Sequence, residues 1–129
     1  MDGCVFCGIV DGKIPSSKLY EDNEVIAFLD IMPASKGHAL VITKKHYHTL
    51  LDVPHEELCA LIKTAQKIGA AAMKATGAEG FNLLQSNGKV AGQVIGHVHI
   101  HVIPRKDGDG LNFSWKQEKA GEEELEIHI

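Results

Sequence analysis

The sequence predicts an α+β fold: a five-stranded antiparallel sheet with one long helix and a short N-terminal helix. Three observations carry that expectation. Short β-branched or alternating runs recur between turn residues, and most of the connections between them are short, which suits antiparallel pairing. Only the stretch after Pro54 keeps apolar residues at helical spacing over many turns. The chain has 129 residues, 44% of them hydrophobic, which is enough for one core and too little for two full domains.

Taken in order, residues 4–12 read as a short helix closed by Gly12. Residues 18–21 and 25–29 read as strands around an Asp22-Asn23 turn. A loop over 30–37 carries Pro33 and Gly37, and residues 38–43 form the next strand. Pro54 opens the long helix, with Glu56 and Glu57 in the first turn, where carboxylates favour the helix dipole. Leu58, Leu61, Ile62, Ala65, Ile68, Ala72 and Met73 make its apolar stripe, expected in the core or at a dimer contact, and Gly77 is its stop. Cys59 on this helix is read as a buried apolar residue. Residues 81–85 are a further strand, then a Gly-rich loop spans 86–96. The last strand starts at His97 and is ended by Pro104. Residues 1–107 are expected to be the domain and 108–129 a C-terminal extension with an acidic stretch at 122–126.

The densest chemistry lies in His97-Val98-His99-Ile100-His101. Side chains at i, i+2 and i+4 of a strand share a face, so the three imidazoles line one surface while Val98, Ile100 and Val102 anchor the other. One metal ion cannot hold all three. The outer two stand about 13 Å apart along a strand, and Zn–N bonds are only about 2.0–2.1 Å. A nucleophile with helpers fits better. His99, with a histidine on either side, is the attacking group, and His101 steers the electrophile or protonates the leaving group.

His97-Val98-His99-Ile100-His101-Val102-Ile103 resembles the His-φ-His-φ-His-φ-φ signature of the histidine triad (HIT) superfamily, φ being apolar. The resemblance extends to Ala91-Gly92-Gln93, Phe28-Leu29-Asp30-Ile31, Gly37-His38-Ala39-Leu40-Val41-Ile42, Lys44-Lys45-His46, Cys4-Val5-Phe6-Cys7 and Ile14-Pro15. It covers about residues 1–104, with weaker likeness through Trp115. It implies a HIT-like fold that pairs as a homodimer. It also implies a hydrolase acting at the α-phosphate of purine nucleoside monophosphate esters or amidates through a nucleotidyl-His99 intermediate, with a nucleotide such as AMP or GMP as ligand. Two alternatives stay open, a dinucleoside polyphosphate hydrolase and a non-catalytic nucleotide- or partner-binding module.

By the same resemblance, Phe6, Ile9, Phe28 and Ile31 enclose base and ribose, and Asp30 binds the ribose hydroxyls. His38 is the fourth active-site histidine, bonded into the triad's relay. The loop around Gly92 cradles the α-phosphate, with N–H groups of Gly92, Gln93 and Val94 as donors. The chain departs from the family pattern twice. Ser86 stands where Asn or Gln is usual, with Asn87 one position later, and either side chain can hydrogen-bond phosphate; Asn87 is counted among the nucleotide-binding residues, and Val94 replaces the serine of phosphoramidase-type members. His48, His55 and His128 match no family position and are read as surface residues; Trp115 is the candidate contact from the extension to a partner's site.

Cys4 and Cys7 form a Cys-x-x-Cys that reads as a redox pair, half a zinc site or two small buried residues. No strand precedes it, which argues against a thioredoxin-like motif. Family members with this N-terminal motif resemble zinc binders of Cys₂His₂ type, implying Cys4, Cys7, His46 and His97 around structural Zn²⁺. The net charge of −4 makes duplex nucleic acid a poor partner. No apolar run approaches the roughly 18 residues that span a membrane, and no leader pattern opens the chain. A cytoplasmic location is therefore expected.

Overall fold

The structure, a computed structural model, describes residues 1–129. Helix α1 spans Val5–Val10, followed by strands β1 (Lys18–Glu21), β2 (Val25–Leu29) and β3 (Ala39–Thr43). The long helix α2 covers His55–Thr76, then come β4 (Gly80–Leu84) and β5 (His99–Arg105). The five strands form one antiparallel sheet in the order β1-β2-β3-β5-β4. The expected fold class is the observed one. No helix is long and apolar enough to cross a membrane.

Register decides which side chains share a face. Ile42 lies opposite His99 and Leu40 opposite His101, while Ala39 pairs with Val102 and Val41 with Ile100. One face therefore presents Val25, Ala27, Ala39, Val41, Ile100 and Val102, and Leu61, Ala65 and Ile68 of α2 pack onto it. The other presents Ile26, Phe28, Leu40 and Ile42, covered by Phe6 of α1. The histidines sit on this second face. Every residue of β3 is buried because both of its faces are covered, which explains its unbroken apolar run.

Helix α2 begins after Pro54 and stops at Gly77, whose φ of 74° is the left-handed conformation that glycine adopts freely. Strand β4 docks closely on this helix: a Cβ at Gly69 would stand 2.6 Å from the Phe81 ring.

Several boundaries differ from the sequence reading. Helix α1 is shorter than 4–12, with Cys4 as its N-cap and Asp11 its C-cap. The last strand starts at His99, because β3 ends too soon to pair with residue 97, and the Val98 N–H bonds Tyr47 O instead. Pro104 does not end the strand. Its carbonyl accepts from Ser35 Oγ at 2.7 Å on the side that β3 has already left, and the imide nitrogen faces the same way, so no ladder bond is lost. Cys59 is exposed rather than buried. So is Ile62, at 52%, because the apolar stripe of α2 is wider than the sheet beneath it.

Candidate active site and metal centre

Adjacent rungs of β5 set the histidine rings close together. The His99 and His101 ring centroids are 5.0 Å apart, and Phe6 stands edge-on to His99 at 5.1 Å. His99 Nδ1 lies 2.7 Å from the His97 carbonyl, which can only accept, so Nδ1 carries the proton and Nε2 a lone pair. On the neighbouring ring the order is reversed. The Ala34 N–H donates to His38 Nδ1 at 2.9 Å, so the His38 proton is on Nε2. That nitrogen lies 3.0 Å from His101 Nδ1, and 3.5 Å from Asp30 Oδ2. His101 thus accepts at Nδ1 and bears its proton on Nε2. A lone pair on one ring stands beside an N–H on the next.

Burial keeps these rings neutral. It pushes the His101 pKa down to about 4, with His99 and His38 adding to the effect and Asp30 opposing it. Burial also lowers His38, against the pull of Asp30, and lowers His99, against its bond to the His97 carbonyl.

His97 turns to a different task. Its Nε2–H donates to the Thr43 carbonyl at 2.7 Å, leaving the Nδ1 lone pair aimed at Cys4 Sγ and Cys7 Sγ, each 3.5 Å away. His46 Nδ1 lies 3.2 Å from Cys7 Sγ. The four donor atoms all fall within 4.8 Å of one another, close enough to bind one metal ion. Around tetrahedral zinc, neighbouring sulfur and nitrogen ligands stand about 3.5 Å apart. The observed spacings fit that polyhedron, and the Thr43 carbonyl supplies the outer hydrogen bond that orients a ligating imidazole.

The remaining expected residues are placed as follows. Phe6 and Phe28 meet edge to face at 5.6 Å and are buried, with Ile9 half-buried beside them. Ile31 lies beyond the strand end and is 91% exposed. Asp30 Oδ1 accepts the Met32 N–H at 2.9 Å, so one oxygen shapes the turn while the other faces His38. The Asn87 Oδ1 accepts the Leu50 N–H at 2.7 Å, and the side chain also pairs with Gln85.

The three-donor cradle expected at Gly92–Val94 is not formed. A 3₁₀ turn at Lys89–Ala91 closes on itself, taking the Gly92 N–H to Lys89 O and the Gln93 N–H to Gly88 O. Among these three groups only the Val94 N–H lacks an acceptor within the chain, and the Val94 side chain is 93% exposed. Gln93 instead works through its buried amide, donating to His48 O and Ile95 O and accepting from Gly88 N–H. The groups that fix the histidine protons, Thr43 O, Ala34 N–H and His97 O, are main-chain atoms that no side-chain motif marks.

The HIT domain family model matches residues 11–108. The chain belongs to the HIT family. This HIT chain is 46% identical over 124 residues to the adenylylsulfatase HINT3 of Arabidopsis thaliana, covering 96% of the chain and 61% of that longer protein. It is 42% identical over 123 residues to the adenosine 5′-monophosphoramidase hnt1 of Schizosaccharomyces pombe, covering 95% and 90%. Among solved structures, a zinc-bound histidine triad family protein from Mycobacterium smegmatis superposes with a TM-score of 0.82 at 40% identity, covering 90% of this chain and 84% of that one.

The half-buried, neutral His101 of this HIT domain links stability to pH. An unfolded histidine titrates near about 6.5, whereas the folded pKa is about 4. Between those values the unfolded chain binds the extra proton, so this contribution is complete above the upper value and lost as pH falls through the window. The midpoint of urea unfolding is expected to drop from pH 7 to pH 4.5, and to drop less in His101→Gln; equal drops would contradict the assignment.

Proposed function

We propose that this chain is a cytoplasmic nucleotide hydrolase that cleaves at the α-phosphate of purine nucleoside monophosphate esters, anhydrides and amidates, with His99 as nucleophile. The observation that carries this reading is the pair of opposed tautomers, His99 Nε2 unprotonated and His101 Nε2 protonated on neighbouring rungs. The named activities of the relatives, adenylylsulfatase and adenosine 5′-monophosphoramidase, support the same chemistry at an adenylyl phosphorus.

In the first step the His99 Nε2 lone pair forms a bond to phosphorus as the bond to the leaving group breaks; the leaving group takes that electron pair and, when it is an amine or alkoxide, a proton from His101 Nε2–H. The positive charge arising on the ring is shared with the His97 carbonyl through Nδ1–H. His101 Nε2–H and the Val94 N–H stabilise the charge on the phosphoryl oxygens. Water then attacks the nucleotidyl-histidine and releases a nucleoside monophosphate such as AMP or GMP. Phe6, Ile9, Phe28 and Ile31 receive the base and Asp30 the ribose, while His38 holds His101 in its tautomer.

Cys4, Cys7, His46 and His97 are the zinc ligands in this reading. When bound, the ion supplies structural cross-linking, tying the loop after β3 and the start of β5 to α1, and it takes no part in turnover. Residues 108–129 form a C-terminal extension to a domain at 1–107. A homodimer pairs the uncovered side of α2 with the free edge of β4. Leu50, Leu58, Cys59, Ile62 and Ile100 border an open apolar depression of about 380 Å³ there, and Leu83 on the edge strand is exposed. A contiguous apolar face beside an unpaired edge favours self-association.

Three measurements check this reading. His99→Ala should lose about a thousandfold or more in turnover while AMP affinity stays within about threefold; wild-type-like rates would remove His99 as nucleophile. Elemental analysis of protein purified without chelator should give one zinc per chain, falling in Cys7→Ser, and a content near zero that added zinc does not raise would remove the metal. In sedimentation the chain should behave as a dimer and Ile62→Glu as a folded monomer; a monomeric wild type would refute the pairing.

A further inference from the structure

Thr43, the last residue of β3, is fully buried and serves the four-donor cluster through two different atoms. Its carbonyl orients His97 by accepting the Nε2–H at 2.7 Å. Its hydroxyl turns the other way, and Oγ1–H donates to the Lys45 carbonyl at 2.7 Å. Oγ1 also lies 3.5 Å from His97 Nε2, but that proton is already taken by the Thr43 carbonyl. No main-chain N–H reaches the Lys45 carbonyl. His46 follows Lys45 directly. Its Nδ1 lies 3.2 Å from Cys7 Sγ, and its ring stands edge-on to His97 at 5.0 Å. Its Nε2 has no hydrogen-bond partner within the chain, so no counterpart of the Thr43 carbonyl orients this second imidazole. Its placement falls to the backbone. The Lys44 N–H bonds Glu24 O at 2.9 Å, and the Tyr47 carbonyl accepts the Val98 N–H at 2.8 Å. Between those two fastenings the Thr43 hydroxyl makes the single hydrogen bond to the main chain.

We infer that Thr43 is a positioning residue for metal capture: its hydroxyl holds the turn over 44–46 so that His46 meets Cys4, Cys7 and His97 before an ion arrives, and this raises the affinity of the cluster for Zn²⁺. The inference rests on the zinc reading and adds to it a residue outside the four ligands. Without the hydroxyl the turn samples more conformations, and the ion must order it on binding. A turn already fixed spares that cost. The two histidine ligands are thus held by one residue, His97 through an atom that every substitution at 43 retains and His46 through one that a substitution can remove. Hydrogen bonds outside the ligand shell are worth about 10–100-fold in metal affinity.

The test measures Zn²⁺ affinity by competition with a chromophoric chelator, in wild type, Thr43→Val, Thr43→Ser, His46→Ala and the Thr43→Val/His46→Ala pair. Thr43→Val keeps the size of the side chain and should bind zinc about tenfold more weakly, while Thr43→Ser keeps the hydroxyl and should stay within about threefold of wild type. In the His46→Ala background, which retains three ligands, the valine substitution should cost nothing further, because no ring is left to place. A role confined to general stability would weaken both backgrounds alike. A loss within about twofold in Thr43→Val, or an equal loss with and without His46, overturns the inference and leaves the zinc reading standing. A wild type that takes up no zinc overturns both. If circular dichroism shows metal-free Thr43→Val unfolded, Thr43→Ala is read in its place against the same two backgrounds.

Discussion

The hydrogen bond from His99 Nδ1–H to the His97 carbonyl, 2.7 Å long, is the contact on which the rest of the site depends. It fixes which nitrogen of the His99 ring is free, and it does so with an atom that cannot reverse the bond. The carbonyl is itself held by what happens to the ring of the same residue. His97 Nε2–H is pinned by Thr43 O, and Nδ1 faces Cys4 and Cys7. One residue therefore joins two clusters, its side chain among the four sulfur and nitrogen donors and its main chain against His99. Phe6 makes a second connection, edge-on to both His97 and His99. A disturbance of the cysteine cluster can therefore reach His99 through the main chain of His97 and through the Phe6 ring.

The fold was largely legible because its two coverings leave different marks on the sequence. Helix α2 announces itself through a stripe at helical spacing between Pro54 and Gly77, and β5 through strict alternation of histidine with aliphatics. Boundaries were less legible because they depend on partners. His97 has a strand-like sequence, yet β3 ends before it, and Pro104 stays in the strand because β3 has ended at that side too. Cys59 read as buried and Ile62 as core or dimer contact, and both are exposed because the helix carries more apolar surface than the sheet can cover. Helical spacing reveals which residues share a face and not how far the opposing layer extends.

The site divides in the same way. The four-donor cluster was legible as residue types, and the fold gathers it across 93 residues of sequence separation between Cys4 and His97. The Gly-rich loop over 86–96 was not legible in its details. Its glycines signal a tight turn, but whether the turn leaves its N–H groups free depends on how it closes. Here the 3₁₀ turn consumes two of the three expected donors and leaves Val94. His48 carried no sequence signal, since its place depends on a contact with Gly96 and on the Gln93 amide reaching its carbonyl.

The three rings of the triad are chemically identical in the sequence and different in the structure. His97 has its lone pair on Nδ1, His99 on Nε2, and His101 a proton on Nε2, because Thr43 O, His97 O and the Ala34–His38 pair assign them. In water a histidine samples both tautomers and titrates near about 6.5. Burial on the α1-covered face suppresses the charged form, and a main-chain group then chooses the tautomer, directly for His97 and His99 and through His38 for His101. Because the choosers are backbone atoms held by the sheet and by the 30–38 loop, substitution of neighbouring side chains other than His38 leaves the proton arrangement in place as long as the register of β3 against β5 survives. A slip of one residue would send His99 and His101 to the α2 face and bring Ile100 to their place. The division into a ring facing the cysteines, a ring with a free Nε2 lone pair and a ring with its proton on Nε2 is thus a property of strand register first and of the histidines second.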